Sequence, residues 1–128
     1  MHLATNAIPS KLEGPGVTVR HLPNFGTADA TLAAEHLFLA AGTDIAPLLH
    51  GLPEDACQAE HWGYLLSGTA LVTYTDGTNE RCSTGEVFYW PAGHSVRIED
   101  DAEIVMFSPA NAHGEVLSHI GAQLAAVT

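Results

Sequence analysis

The feature that most constrains the fold of this chain is a series of short β-branched and aromatic segments separated by Gly, Pro, Asn and Asp. Segments of this kind at these intervals predict strands rather than helices. Asp76-Gly77, between Tyr74 and Thr78, predicts a tight hairpin, because the positive φ of such a turn costs these residues little. The predicted strands cover residues 17–22, 34–40, 59–66, 69–75, 86–90, 95–99 and 103–108.

The pattern changes after Ser108-Pro109 and becomes helical. Apolar residues at helical spacing predict one helix over residues 111–127; they are Val116, Leu117, Ile120, Leu124 and Val127. Many strands followed by one helix indicate an all-β architecture with an appended helix. We therefore expect a flexible N-terminal arm over residues 1–16, a barrel over 17–110 and a packed helix over 111–128. On that helix we place His113 and His119 at the surface.

The composition excludes some classes of function. Apolar residues make up 46% of the 128 residues and charged residues 15%, as in globular proteins. A formal net charge of −11 argues against binding to nucleic acid or to anionic lipid. The sequence shows neither a membrane span nor a signal peptide, so we expect a cytoplasmic protein in which Cys57 and Cys82 are free thiols or metal ligands.

Two segments carry a resemblance to a known family. Residues 85–94, a glycine turn leading into a strand that ends at Pro91-Ala92-Gly93, resemble the second sequence motif of cupins. The interval from His61 to Gly68 matches the end of the first cupin motif, and residues 42–64 resemble a subgroup of small bacterial cupins. The resemblance covers residues 17–108 and implies a double-stranded β-helix (jelly-roll) barrel. It leaves the function open, because cupins include dioxygenases, isomerases, epimerases, sugar-binding regulators and zinc-bound sensors.

The resemblance also suggests a metal site with altered ligands. Carried over position by position, the usual glutamate of the first motif becomes His61, and its two histidines become Cys57 and Asp55. In the second motif Val96 stands where the family has a histidine, and His94 lies two residues earlier. Because side chains alternate along a strand, positions 94 and 96 are expected to face the same way.

The predicted ligand set is therefore Asp55, Cys57, His61 and His94. The first three are odd-numbered and would share one face of an extended segment. Thiolate and imidazole favour Zn²⁺, whereas two histidines with a carboxylate also suit Fe²⁺ or Mn²⁺. Each residue also has an ordinary structural interpretation: a buried apolar thiol for Cys57, an interior histidine for His61, an exposed histidine after a turn for His94, and a capping residue for Asp55.

These residues support three functional hypotheses. The favoured one is a metal-dependent enzyme acting on a small organic molecule in the barrel, with His50 or Tyr89 moving a proton and Asp44 or His50 orienting a ligand. The second is a non-catalytic module that binds zinc or a small ligand as a sensor. The third is a structural barrel without a ligand. In each case we expect a homodimer formed by strand exchange or through the arm.

Overall fold

The computed structural model describes residues 1–126. It contains seven strands followed by one helix, and short 3₁₀ turns lie before β1 and between β3 and β4. The strands are β1 Ser10–Gly14, β2 Val17–Leu22, β3 Leu32–Leu39, β4 His61–Tyr74, β5 Asn79–Ser83, β6 Val87–Trp90 and β7 His94–Pro109, and the helix α1 is Ala110–Ala126. The predicted all-β class with a C-terminal helix is confirmed.

All neighbouring strands in the sheet pair antiparallel. The order is β1-β2-β3-β7-β4-β5, and β6 adds to β4. The two longest strands form the centre, where β4 pairs β7 from Trp62 opposite Phe107 to Tyr74 opposite His94. Because β7 binds β3 along one half and β4 along its length, the sheet rolls up and encloses a core.

Two pairs of predicted strands merge into single bent strands. The predicted strands 59–66 and 69–75 fall in β4, which runs from His61 to Tyr74, and 95–99 and 103–108 fall in β7. The chain bends through bulges and does not turn at Ser67-Gly68. Gly68 has φ +95°, and a Cβ there would lie 2.3 Å from the carbonyl oxygen of Asp101. A bulge that carries glycine sharpens the bend without ending the pairing. The hairpin at Asp76-Gly77 is present as predicted and joins β4 to β5.

The N-terminal segment differs from the expected arm. Residues Ser10–Gly14 form β1, which pairs with β2, and Ile8 and Leu12 are buried. Leu12 packs near α1, where a Cβ on Gly121 would meet its side chain at 3.3 Å. The apolar residues at 8 and 12 therefore anchor part of the segment expected as an arm, and residues 10–14 extend the sheet.

The C-terminal helix covers one side of the barrel. It packs against the 3₁₀ turn Ala46–Leu49, against β1 and against β7. Val116, Leu117 and Ile120 are buried as the helical spacing predicted. Val127 and Thr128, which fall within the expected helix, lie outside the described residues. Among residues 1–126, no helix is long and apolar enough to cross a membrane.

Candidate metal centre

Backbone pairing brings two of the candidate ligands, Cys57 and His94, together. Cys57 precedes β4 and forms an isolated bridge with His94 at the start of β7: the Cys57 amide donates to the His94 carbonyl at 2.8 Å. The Gly93 amide donates to the Cys57 carbonyl, also at 2.8 Å. His61, the first residue of β4, lies opposite Trp90 of β6. Three separate segments thus converge at one end of the barrel.

The side chains of Cys57, His61 and His94 meet in the interior. Their exposed fractions are 5%, 2% and 2%, and their ligand atoms lie within 4.8 Å of one another. Cys57 Sγ is 3.6 Å from His61 Nε2, and the two imidazole rings are 5.0 Å apart between centroids. The group supplies one sulfur and two nitrogens, a donor set that suits zinc. We call these three residues the Cys-His-His group.

Hydrogen bonds fix the tautomers of both histidines. His94 Nδ1 lies 2.7 Å from the Pro91 carbonyl oxygen, which can only accept, so Nδ1 is the donor. His61 Nδ1 lies 2.6 Å from Ser108 Oγ, and the Ser108 hydroxyl donates its one hydrogen to Glu35. Ser108 Oγ must therefore accept from His61 Nδ1. In the neutral rings both Nε2 atoms keep a lone pair, as metal-ligating histidines do.

Burial sets the protonation of the group. It lowers the pKa of His61 well below the ordinary value, and the neighbouring His113 and His94 act in the same direction. Burial also lowers the pKa of His94, and it raises the pKa of the Cys57 thiol to about 11. Neutral imidazoles are ready to bind a cation, whereas the thiol must lose its proton as the cation binds. The donor set and its protonation fit a divalent metal ion.

A second buried cluster is continuous with the first. Glu35, 1% exposed, accepts hydrogen bonds from His21 Nδ1 at 2.7 Å, from His113 Nδ1 at 2.5 Å and from Ser108 Oγ. Burial alone would raise the pKa of Glu35, but the bonds from His113, His21 and Ser108 outweigh burial and lower it to about 2. Through Ser108 this carboxylate orients His61, an arrangement typical of residues behind a metal ligand.

The Cys-His-His group opens onto a cavity of about 70 Å³. His113 from α1 lines the same cavity, and its ring lies 4.4 Å from that of His61 between centroids. Because Glu35 accepts from its Nδ1, Nε2 is the His113 nitrogen left to the cavity. The site therefore combines three metal-type donors with one further imidazole and an interior space.

Three residues expected at the site lie elsewhere. Asp55 is exposed, ends a 3₁₀ turn with φ +52° and accepts from the Gly51 amide at 3.0 Å, so it is not on one extended segment with Cys57. The side chain of His50 is 82% exposed beside Asp55. Tyr89 lies on the outer face of β6 and donates to Glu60. None of the three lines the cavity.

Asp44, which was expected to orient a ligand, does not line the cavity. It is exposed and accepts the Ala46 amide at 3.1 Å, and its backbone forms a bridge with Arg97. The carboxylate therefore closes the start of the 3₁₀ turn Ala46–Leu49, which is an ordinary use of an aspartate before a turn.

Two buried polar residues beside the site, His113 and Glu35, were not predicted there from the sequence. His113 was expected at the surface, but it is 4% exposed because it precedes Val116, Leu117 and Ile120 by three, four and seven residues on the buried face. Glu35 shares the inward parity of Leu37 and Leu39 on β3. A charged residue at an inward position of an apolar strand was the available signal.

Comparisons with known proteins identify similar folds. No family model matches the chain, and no curated protein matches it. Among solved structures, it is similar to ectoine synthase from P. lautus, with TM-score 0.61 and 11% identity over 86% of this chain and 78% of that one. A polyketide cyclase from Streptomyces resistomycificus gives 0.59 and 15%, over 86% and 79%.

A third similar structure is a larger protein. Oxalate decarboxylase from Lactobacillus farciminis gives TM-score 0.61 and 17% identity over 84% of this chain, but the match spans only 32% of that chain. At identities this low, the similarities establish an architecture and leave the chemistry to the residues of the site.

Proposed function

We propose that this chain, a barrel with the cupin fold, holds one divalent metal ion in the Cys-His-His group and is an enzyme acting on a small organic molecule in the cavity. The compared structures are cupin-fold proteins, and the fold is shared with them. The metal and the activity are inferred from the residues of this chain.

One observation carries the proposal. The two Nε2 lone pairs and the Cys57 sulfur converge, because both Nδ1 atoms are held as donors by Pro91 and Ser108. The Cys57 thiol has only long contacts with His61 Nε2 at 3.6 Å and with the Ala59 carbonyl at 3.8 Å, whereas a cation would bind all three donors at once. One thiolate with two imidazoles favours Zn²⁺, and Fe²⁺ or Mn²⁺ remain alternatives.

The number of ligands favours an enzyme over a closed binding module. Without Asp55 the group offers three donors, which leaves a coordination position toward the cavity, as in catalytic zinc sites. A bound ion supplies Lewis-acid chemistry toward an oxygen atom of the ligand. His113 lies where it would contact the ligand, a role that His50 and Tyr89 are too far outside the cavity to take.

Metal analysis of the purified protein tests the proposal. We expect about one equivalent of zinc, iron or manganese per chain when no metal is added during purification. Metal at about 1,000 times its Kd stabilises the folded state by about 4 kcal/mol, so chelation should lower the Tm and the retained metal should restore it. A protein that carries none of these metals, and whose Tm does not respond to any of them, would contradict the proposal.

We also propose that the protein is cytoplasmic. Cys57 and Cys82 are both free and buried. Unpaired thiols are typical of proteins from reducing compartments.

A homodimer is the assembly that we propose. The outer face of β4, β6 and β7 carries five large apolar side chains that are 39% to 81% exposed: Trp62, Tyr64, Val87, Tyr89 and Phe107. Cross-strand pairing makes them contiguous. Covering them in two copies removes roughly 900 Å² from water, which approaches the roughly 1,200 Å² of small stable interfaces. None of these five side chains is charged.

Light scattering at micromolar concentration tests the dimer. The wild type should give the mass of two chains, and Tyr64→Lys should give one, because a buried unpaired charge within the face opposes association. Leu3→Lys, at an exposed apolar residue that is not one of the five, should remain dimeric. A monomeric wild type at tens of micromolar would refute the assembly.

A further inference from the structure

Beyond the Cys-His-His group, the cavity is lined almost entirely by hydrocarbon. Of its twenty lining residues, fifteen are apolar. Leu37 and Leu39 come from β3, Ile104 from β7, and Val116 and Ile120 from α1. The polar residues are confined to the three of the group together with His113 and Ser95. Apart from Ser95, the cavity thus has one polar end and a hydrocarbon remainder.

Its lining contains no lysine or arginine and no carboxylate among the described residues. The chain has only four basic side chains. Arg81 pairs with Glu99 at 2.5 Å, and Arg20 donates to the Ile8 carbonyl at 2.8 Å. Lys11 and Arg97 are exposed. An anionic ligand therefore has no fixed cationic side chain to meet inside the barrel.

The mouth of the cavity is also largely apolar. Ile45 and Leu48, at the 3₁₀ turn Ala46–Leu49, and Val96 of β7 line the cavity and are only partly buried. Ser95, beside Val96, is the polar residue there. A ligand entering by this route passes hydrocarbon before it reaches the imidazoles.

We infer that the ligand of this cavity is a small, mostly hydrocarbon molecule with a single oxygen group, such as an alcohol, aldehyde or ketone, bound with the oxygen toward the Cys-His-His group and His113. The placing of the oxygen rests on the proposed function; the hydrocarbon part rests on the lining alone. A dianion or a polyol carries further oxygen atoms beyond the one held at the Cys-His-His group and His113, and those atoms would be buried against hydrocarbon without partners, which is costly. The lining therefore selects against both.

Titration with straight-chain alcohols tests the inference. The indole N–H of Trp90, a buried residue in the lining, serves as the NMR reporter in the protein as purified. From ethanol through 1-propanol to 1-butanol, affinity should rise about threefold to fourfold per methylene, because each enters an apolar environment. Glycerol and oxalate should bind far more weakly. Affinity that does not rise with chain length, equal binding of glycerol or oxalate, or no binding of any alcohol would overturn the inference.

Val96→Thr provides the matched variant. Threonine keeps the shape of valine and adds a hydroxyl to the lining, so 1-butanol should bind at least about threefold more weakly. Val87→Thr makes the same change at a side chain that is 81% exposed on the outer face, and should leave the affinity unchanged. Equal affinity in Val96→Thr and Val87→Thr would contradict the assignment of the cavity.

Repeating the series in Cys57→Ala separates this inference from the proposed function. The dependence on chain length arises from hydrocarbon and should persist without a cation. Chain-length dependence in a wild-type protein that binds no metal would refute the metal site and keep the ligand class. Metal binding without chain-length dependence would keep the metal site and refute the ligand class.

Discussion

Replacing Cys57 with alanine is expected to reduce metal affinity more than about 100-fold, because the group then keeps only two of its three donors. The thiol contributes the anionic ligand, and neither neighbouring imidazole replaces its charge. Elemental analysis after dialysis should show one equivalent in the wild type and close to none in the variant. His61→Ala should behave in the same way, since it also removes one donor.

Matched controls separate ligation from general damage to the core. Cys82→Ala also removes a buried thiol, but Cys82 Sγ accepts from Trp90 Nε1 and lies outside the group. His2→Ala removes an exposed histidine. Both controls should keep their metal. Equal metal content in the wild type, Cys57→Ala and His61→Ala would end the ligand assignment.

Glu35→Gln is expected to lower the free energy of unfolding at pH 7 by roughly 3 kcal/mol, or the Tm by about 10 °C. The amide imitates a protonated carboxyl and loses the charge that His21, His113 and Ser108 stabilise. It should also weaken metal binding about 10-fold or more, because Ser108 then no longer fixes the tautomer of His61. Thermal unfolding and metal titration measure the two effects.

The Glu35 carboxylate is also expected to make the folded state less stable at acid pH. Its pKa is lowered from 4.5 to about 2 in the folded state, so the folded state holds fewer protons than the unfolded one between these values. The stabilisation is complete above about pH 4.5 and is lost as the pH falls toward 2. The groups facing Glu35 are His21 of β2, Ser108 of β7 and His113 of α1. In Glu35→Gln this part of the pH dependence should be absent.

Glu103→Gln is the matched control for charge. Glu103 also pairs with a histidine, His36 at 2.8 Å, but its side chain is 43% exposed. Pairs that solvent reaches contribute at most about 1 kcal/mol, so this variant should stay close to the wild type. Equal losses of unfolding free energy in Glu35→Gln and Glu103→Gln would show that the buried network of Glu35 stabilises the fold no more than the exposed pair of Glu103.

The site was predictable where one local pattern sufficed. The first motif, carried over position by position, named Cys57 and His61, and strand alternation with position 96 added His94; the side chains of these three residues lie together. Parity failed for Asp55, because the backbone between residues 55 and 57 is not one regular strand: Glu54 and Asp55 both have positive φ. A period of two applies only within an extended segment, and a turn resets the direction of each side chain.

His113 and Glu35 show the opposite limit. Each carried a local signal of an inward position, a helical face for one and strand parity for the other. Neither signal predicts which residues a buried polar side chain forms hydrogen bonds with. His113 and Glu35 are 78 residues apart in the chain, and their hydrogen bond exists only because α1 packs back onto the barrel.

The sequence by itself determined the class of structure, the hairpin at residues 76 and 77, and most of the metal-type donors. These depend on alternation, turn residues and short spacings, which act over a few residues. Only the tertiary structure decided the bends of β4 and β7 and the network from His61 through Ser108 to Glu35. Those features depend on which distant strands and which helix pack together, and contacts of that range are set by the whole core.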